Sequence, residues 1–284
     1  MQAYRKQCWQ CLCVAAVLGC SVLPNVRTTH GATMNVVQDR SSRTPLQMEI
    51  EKQTMRLSSA EVEERRDAIT QLGSMHHPQA SRAAIAGLRD PTPIVRATSA
   101  AAILSLPAEE SAASLIPLLN DKDEFVRREA AYALGATRSR TAVPFLIERL
   151  VKDKKDEVRG AAAVALGLIS DVTSVPALSA VLSPALATVA KGKKPKQEKD
   201  PFLLRSAARS LGQIGSREAL PILITILQDE KSEDDVRREA AIALGQIGDA
   251  AALPALEGAI ISRDPHLSHA AHQASRRIRR SNSL

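Results

Sequence analysis

From about residue 60 onwards the apolar positions fall into two alternating helical registers. In residues 126–135, VRREAAYALG, the side chains Val126, Ala130, Ala133 and Leu134 share one stripe at about 100° per residue. Ala131 widens that stripe, while Arg127, Arg128 and Glu129 fall outside it. Such a stripe has to be buried, and its alanines let a neighbouring helix come close. Gly135 follows the last apolar position and is expected to cap the helix with a positive φ. In residues 141–151, TAVPFLIERLV, a second face is made by Val143, Leu146, Ile147, Leu150 and Val151. Pro144 fits the first turn of that helix, where the missing N–H has no intrahelical partner. The predicted unit is helix, short loop, helix.

The first register returns as VRGAAAVALG at 158, LLRSAARSLG at 203 and VRREAAIALG at 236. Weaker copies start at 64 and 95, and a degraded one at 267, giving spacings of 31, 31, 32, 45, 33 and 31. The second register returns through Val175, Leu178 and Leu182, then Leu220, Leu223, Ile224 and Leu227, then Leu253, Leu256 and Ile260. Pro144, Pro176, Pro221 and Pro254 each stand nine residues past a block glycine. A period near 31 made of paired helices predicts stacked repeats, each burying its apolar side on the next.

These blocks, with the LGQIG variants at 211–215 and 244–248 and the proline-led second helices, resemble the HEAT-repeat superfamily. They are most similar to its short PBS-lyase HEAT-like repeats, over roughly residues 60–280. The expected fold is all-α: an α-solenoid of about six stacked helical hairpins closed by a C-terminal capping helix, spanning residues 45–280. The resemblance implies a scaffold or adaptor that binds a protein or peptide, although the superfamily also holds a few enzymes. HEAT-like deoxyhypusine hydroxylases bind iron through repeated His-Glu pairs, and the matching pairs here are Arg128-Glu129 and Arg238-Glu239. Bilin lyases share the repeats, so a lyase-like, chromophore-handling or metal-handling protein is the alternative function. No catalytic residue and no cofactor is assigned.

The first 60 residues differ in kind. Arg5 and Lys6 precede an apolar, cysteine-containing run over residues 11–23, which has the form of a secretory signal and is shorter than the roughly 20 residues needed to span a bilayer. Residues 1–32 are therefore expected to direct export, to the periplasm or beyond. Val17, Leu18, Gly19 and Cys20 resemble a bacterial lipoprotein box, making Cys20 the candidate lipidation site and envelope anchor, with cleavage near Ala32 or an uncleaved anchor as alternatives. All four cysteines lie here, at 8, 11, 13 and 20, so the repeat region has no disulfide framework or thiol nucleophile. Residues 33–44 read as a polar linker and 45–57 as a helix capping the stack through Leu46, Ile50 and Leu57. Ser58 and Glu61 have capping-box spacing.

Charge narrows the choice of partner. The chain carries +7. Residues 1–32 hold three of those positive charges and no acid, so +4 remains without them. Residues 191–199 alone contribute +4 through Lys191, Lys193, Lys194, Lys196 and Lys199 against Glu198. Arg276, Arg277, Arg279 and Arg280 contribute another +4, leaving the rest at about −4. Local basicity of this kind argues against general nucleic-acid binding, as does an aromatic set reduced to Phe125, Tyr132, Phe145 and Phe202 after the leader. The five lysines sit in an insertion at 183–200 that accounts for the spacing of 45, expected as a solvated loop and a candidate docking arm for an acidic partner or anionic lipid.

Arginine follows the first apolar residue of most blocks, at Arg65, Arg96, Arg127, Arg159 and Arg237, with Arg205 displaced by one. Aspartates fill the loops between units, including Asp90, Asp121, Asp153 and Asp229. The two sets predict a structural Asp–Arg ladder, with a polyanion-binding row as the alternative. His266, His269 and His272 are three apart on one helix and form a weak candidate metal set. Ser275 and Arg276 stand where the block calls for leucine and glycine, the mark of a terminal cap. The chain is expected to be a monomer.

Overall fold

The structure is a computed structural model that describes residues 43–190 and 200–281. The leader with Cys20, the linker up to 42, the five lysines of the insertion and the last three residues lie outside that set. Fourteen α-helices and no strand occur among the described residues. They are α1 (Pro45–Arg56), α2 (Val62–Ser74), α3 (Pro78–Ala84), α4 (Pro93–Ala102), α5 (Ala108–Leu115), α6 (Glu124–Thr137) and α7 (Val143–Lys152). The remainder are α8 (Asp156–Ile169), α9 (Val175–Ala190), α10 (Pro201–Ile214), α11 (Leu220–Gln228), α12 (Asp234–Ile247), α13 (Leu253–Ile260) and α14 (Pro265–Ser281).

The even-numbered helices are the first helices of successive hairpins, and each begins two residues before its sequence block. Each packs on the next along one row from α2 to α14. The odd-numbered helices from α3 to α13 return behind them, and α3 and α5 continue as 3-10 turns at Ile85–Arg89 and Ile116–Asn120. Helix α1 packs against α2 and α3 through Ile50, and Leu57 joins the same contact just beyond its end. The result is six hairpins, a preceding helix and a closing helix: an all-α solenoid.

The core follows the two registers. Val126, Ala130, Ala131 and Leu134 are fully buried, and the position of Leu134 is filled in other units by Leu72, Ile103, Leu166, Leu211 and Leu244, all fully buried. In the second helices Leu146, Leu150, Leu178, Leu182, Leu223 and Leu256 are likewise buried. Val151 departs from the expected face and is 58% exposed, because α7 ends one residue later and turns away. Burying each such leucine contributes about 1.5–3 kcal/mol before the entropy of ordering is counted. In α14 the leucine position holds Ser275, buried but with no hydrogen-bond partner for its hydroxyl among the described residues.

The block glycine has a different role from the expected one. Gly135, Gly167, Gly212 and Gly245 lie inside their helices, three residues before the left-handed residues Arg138, Ser170, Gly215 and Gly248. A Cβ on Gly135 would stand 2.7 Å from the Cα of Ala165 in the next first helix, and one on Gly245 would stand 2.9 Å from the Cα of Ala274. The glycine therefore permits close helix approach, and the C-cap falls on the residue three places on. Gly215 and Gly248 do serve as C-caps, at φ 74° and 78°.

Loop chemistry sets the turns. Ser139, Asp171, Ser216 and Asp249 each accept a hydrogen bond from the N–H two residues on, opening a 3-10 turn that leads into the proline-bearing second helix. Two local expectations change. Glu61 rather than Ser58 is the N-cap of α2, while the Ser59 hydroxyl accepts the Glu61 N–H and donates to Glu64. The first half of the 183–200 insertion is helix, since α9 runs on to Ala190.

Candidate interaction surface on the first helices

Three positions of each block, the third, seventh and eleventh, line the outer side of the first-helix row, where Ala97 and Gly160 are nonetheless buried by the neighbouring helices. Over α4 to α8 this face is mostly small or apolar, with Ala97, Ala101, Ser105, Tyr132, Ala136, Gly160, Val164 and Leu168, and Leu104 lies beside it at the tenth position of its block. Gly160 is required there because a side chain would meet the ring of Phe202 from α10. Arg128 interrupts the apolar stretch, its guanidinium 5.0 Å from the centre of the Phe125 ring. Leu104 and Leu168 are each 38% exposed, although Leu168 also reaches the Gly135 backbone of α6. Ala97, Ala101, Leu104, Glu129, Tyr132, Ala133 and Ala136 line a shallow depression of about 230 Å³ between α4 and α6.

From α10 to α14 the same face becomes polar and cationic. Arg209 grips Glu239 across the α10–α12 contact at 2.5 and 3.2 Å. Arg205 and Arg238 share Asp235, at 2.8 and 2.6 Å. Beyond them, α12 and α14 enclose a groove of about 390 Å³ lined by Arg238, Ile242, Gln246, His266, His269, Gln273 and Arg277, with Gly245, Ala270 and Ala274 completing its wall.

The edge where units join carries the arginines that follow the first apolar position. Arg96 forks onto Asp121, Nε and Nη2 each donating at 2.8 Å, while Nη1 donates to the carbonyls of Asp90 and Pro91. Arg65 does the same with Asp90 and the Ser59 and Ala60 carbonyls, and Arg127 with Asp153 and the Asp121 and Lys122 carbonyls. Each aspartate therefore receives one forked arginine on its carboxylate, Asp153 with Arg149 at 3.9 Å besides, and Asp90 and Asp121 also receive the next arginine on their carbonyls. A continuous ladder runs from Arg65 to Asp153. Burial pushes the carboxyls of Asp90, Asp121 and Asp153 up, but hydrogen bonds from the arginines and from backbone N–H groups outweigh it, leaving all three below the ordinary aspartate value. These guanidinium groups are committed within the protein.

The ladder changes form after three rungs. Arg159 pairs with Asp156 of its own helix at 2.7 Å and donates to the Leu150 carbonyl. Arg237 likewise pairs with Asp234 at 3.1 Å and donates to the Leu227 carbonyl. The acceptor in a true rung stands three residues before the next first helix, as Asp90, Asp121 and Asp153 do. That place is Ser262 ahead of α14, so Arg237 has no carboxylate to reach there.

The other sequence candidates separate. His266 and His269 share the α12–α14 groove, but His272 does not line it, and His269 pairs with Gln273 at 2.9 Å. No group of three potential metal ligands close enough to hold an ion occurs among the described residues. Glu129 pairs with Arg128 and Glu239 with Arg209. Cys20 and Lys191, Lys193, Lys194, Lys196 and Lys199 lie outside the described residues. The α12–α14 groove itself escaped sequence reasoning because its walls come from two blocks. The available signal was Ala270, which stands where blocks 126 and 236 carry Glu129 and Glu239.

A family model for HEAT repeats matches residues 51–135, 112–191 and 196–276. No curated protein matches the chain. Among solved structures, a mutant of Kap121p is similar at 15% identity and a TM-score of 0.55, over 82% of this chain but 29% of that one. The complex of CpcE and CpcF of phycocyanin lyase from Nostoc sp. PCC7120 has 23% identity over 83% of this chain and 94% of the other, with a TM-score of 0.49. Human deoxyhypusine hydroxylase in complex with glycerol has 17% identity over 88% and 100%, with a TM-score of 0.40. At these identities the likenesses speak to fold alone, and the last two carry no functional argument. The repeat matches cover most of the sequence and coincide with the hairpin stack, and on that ground the chain belongs to the HEAT-repeat family.

Proposed function

We propose that this HEAT-repeat protein is a non-catalytic scaffold that holds a partner polypeptide along its first-helix row. The observation that supports the reading is the exposed face of that row. Leu104 and Leu168, with half-buried Tyr132 and Val164 between them, leave apolar surface in water along consecutive units. Binding would spread over several units, each adding a modest area.

The test is capture by cross-linking from an envelope fraction of the source cells, with the full chain and with a Leu104→Glu, Leu168→Glu variant. Circular dichroism verifies that the helices persist. Loss of the captured partner in the variant is the expected result, and undiminished capture overturns the reading. Export rests on residues 1–32 alone, with Cys20 proposed as the lipid-bearing residue. Mass spectrometry of the mature N-terminus with cell fractionation tests it: an acylated Cys20 in the envelope is expected, and a chain that keeps Met1 and stays in the cytoplasm refutes export.

A further inference from the structure

We infer that the groove between α12 and α14 is a docking site for an extended peptide with the pattern acidic, any, apolar, any, acidic. This rests on the scaffold reading above and names the partner chemistry for one part of the row. The groove is lined by two arginines, two histidines and two glutamines, and by no carboxylate.

The imbalance follows from the repeat. Between α10 and α12, the seventh-position Arg209 is neutralised by the fourth-position Glu239 of the next helix. Between α12 and α14 the equivalent residues are Ile242 and Ala270. The ion pair is replaced by an apolar pair, while the cationic positions on either side remain. Arg238 has its one carboxylate contact with Asp235, back along its own helix. No ion pair ties Arg277 to a carboxylate among the described residues. Opposite charge is thus missing from the site itself and has to come with the ligand.

Spacing defines the ligand further. Arg238 is the third residue of its block and Arg277 the eleventh of the next, a difference of eight residues or about 12 Å along a helix axis. An extended chain advances about 3.3 Å per residue, so side chains four apart are about 13 Å apart and point the same way. Two acidic side chains at that spacing reach Arg238 with His269 at one end and Arg277 at the other. The residue midway between them faces Ile242, Ala270 and Ala274, where an apolar side chain fits. Ile242 is 38% exposed and would be covered.

The experiment uses the full chain and a labelled nine-residue peptide with glutamates at its third and seventh places and leucine at its fifth. Fluorescence anisotropy is expected to saturate. Arg277→Glu, at an exposed site, is expected to weaken binding at least tenfold with an unchanged helical spectrum, and a peptide with glutamines for glutamates is expected to bind at least tenfold more weakly. Equal binding of either overturns the proposal. So does a single-stranded oligonucleotide that competes as well as the peptide, which would make the groove a general anion surface. The same variant separates this site from the broader reading. Partner capture lost with Leu104→Glu, Leu168→Glu while the peptide fails to bind leaves the scaffold standing and overturns the groove. Peptide binding with undiminished capture sustains the groove and overturns the row.

Discussion

A single methyl group distinguishes the two roles that glycine plays in these helices. Gly135→Ala and Gly258→Ala make the same chemical change inside a helix. In isolation each should stabilise by about 0.8–1 kcal/mol, since alanine loses less backbone entropy than glycine. At Gly258 nothing lies within 4 Å of the new Cβ, so that gain should appear in full. At Gly135 the Cβ would stand 2.7 Å from the Cα of Ala165 and 2.9 Å from its Cβ. Ordinary contact begins near 3.4 Å, so α6 and α8 must part by about 0.7 Å, because the two atoms met most closely belong to Ala165, which has no rotamer to give way, although Leu168 Cδ1 at 3.3 Å can shift. Overpacking of this kind costs about 1–3 kcal/mol. The expected outcome is that Gly135→Ala lies about 1–3 kcal/mol below Gly258→Ala in stability, and at or below the parent protein. Urea titrations followed by circular dichroism at 222 nm read the difference. Gly135→Ala matching Gly258→Ala would refute the close-approach role and return that glycine to a mere chain break.

Asp121→Ala leaves the buried Arg96 guanidinium without its fork and should destabilise by about 3–5 kcal/mol, the range for removing one partner of a buried pair; thermal melting with an Arg96→Ala cycle checks it. Because Asp90, Asp121 and Asp153 have depressed folded values, their contribution is present above the unfolded aspartate value of about 3.9 and lost as pH falls through the folded one. The midpoint of unfolding should therefore drop steeply below about pH 4, and less steeply in Asp121→Ala. Arg138 is held at φ 54°, so Arg138→Gly should leave stability equal or raise it by up to about 1 kcal/mol, whereas Gly248→Ala, at φ 78°, should lower it by about 1 kcal/mol or more; the same urea titrations decide both.

Periodicity made the architecture legible. A stripe of valine, alanine and leucine at fixed helical spacing leaves only one way to bury itself, and all seven blocks begin at the same point of their helices. The glycine was misplaced because a glycine after a buried leucine satisfies two physical demands equally well on paper. Only the separation of α6 and α8 distinguishes a cap from a contact. The arginines were legible as partners of the loop aspartates, but their reach was not. Whether Arg237 stretches forward or folds back depends on an acid at one offset from the following helix, where Ser262 stands. The α12–α14 groove was hidden for a related reason: a degraded final block reads as a cap, and a cavity belongs to no single segment.

The guanidinium ladder divides the array unequally. From Arg65 to Asp153 three successive forked bonds tie neighbouring hairpins at sheltered sites, whereas beyond α8 the one such fork among the described residues is Arg209 on Glu239, and Arg205 with Asp235 and Arg217 with Asp249 are more exposed. In a linear array each unit is only as secure as its attachment to the next. Transient opening should therefore start at the carboxy-terminal end, with amide hydrogens of α12 to α14 exchanging for deuterium well before those of α4 to α8. The segment proposed to seize a peptide is then also the most yielding one, and an arriving ligand would tighten it.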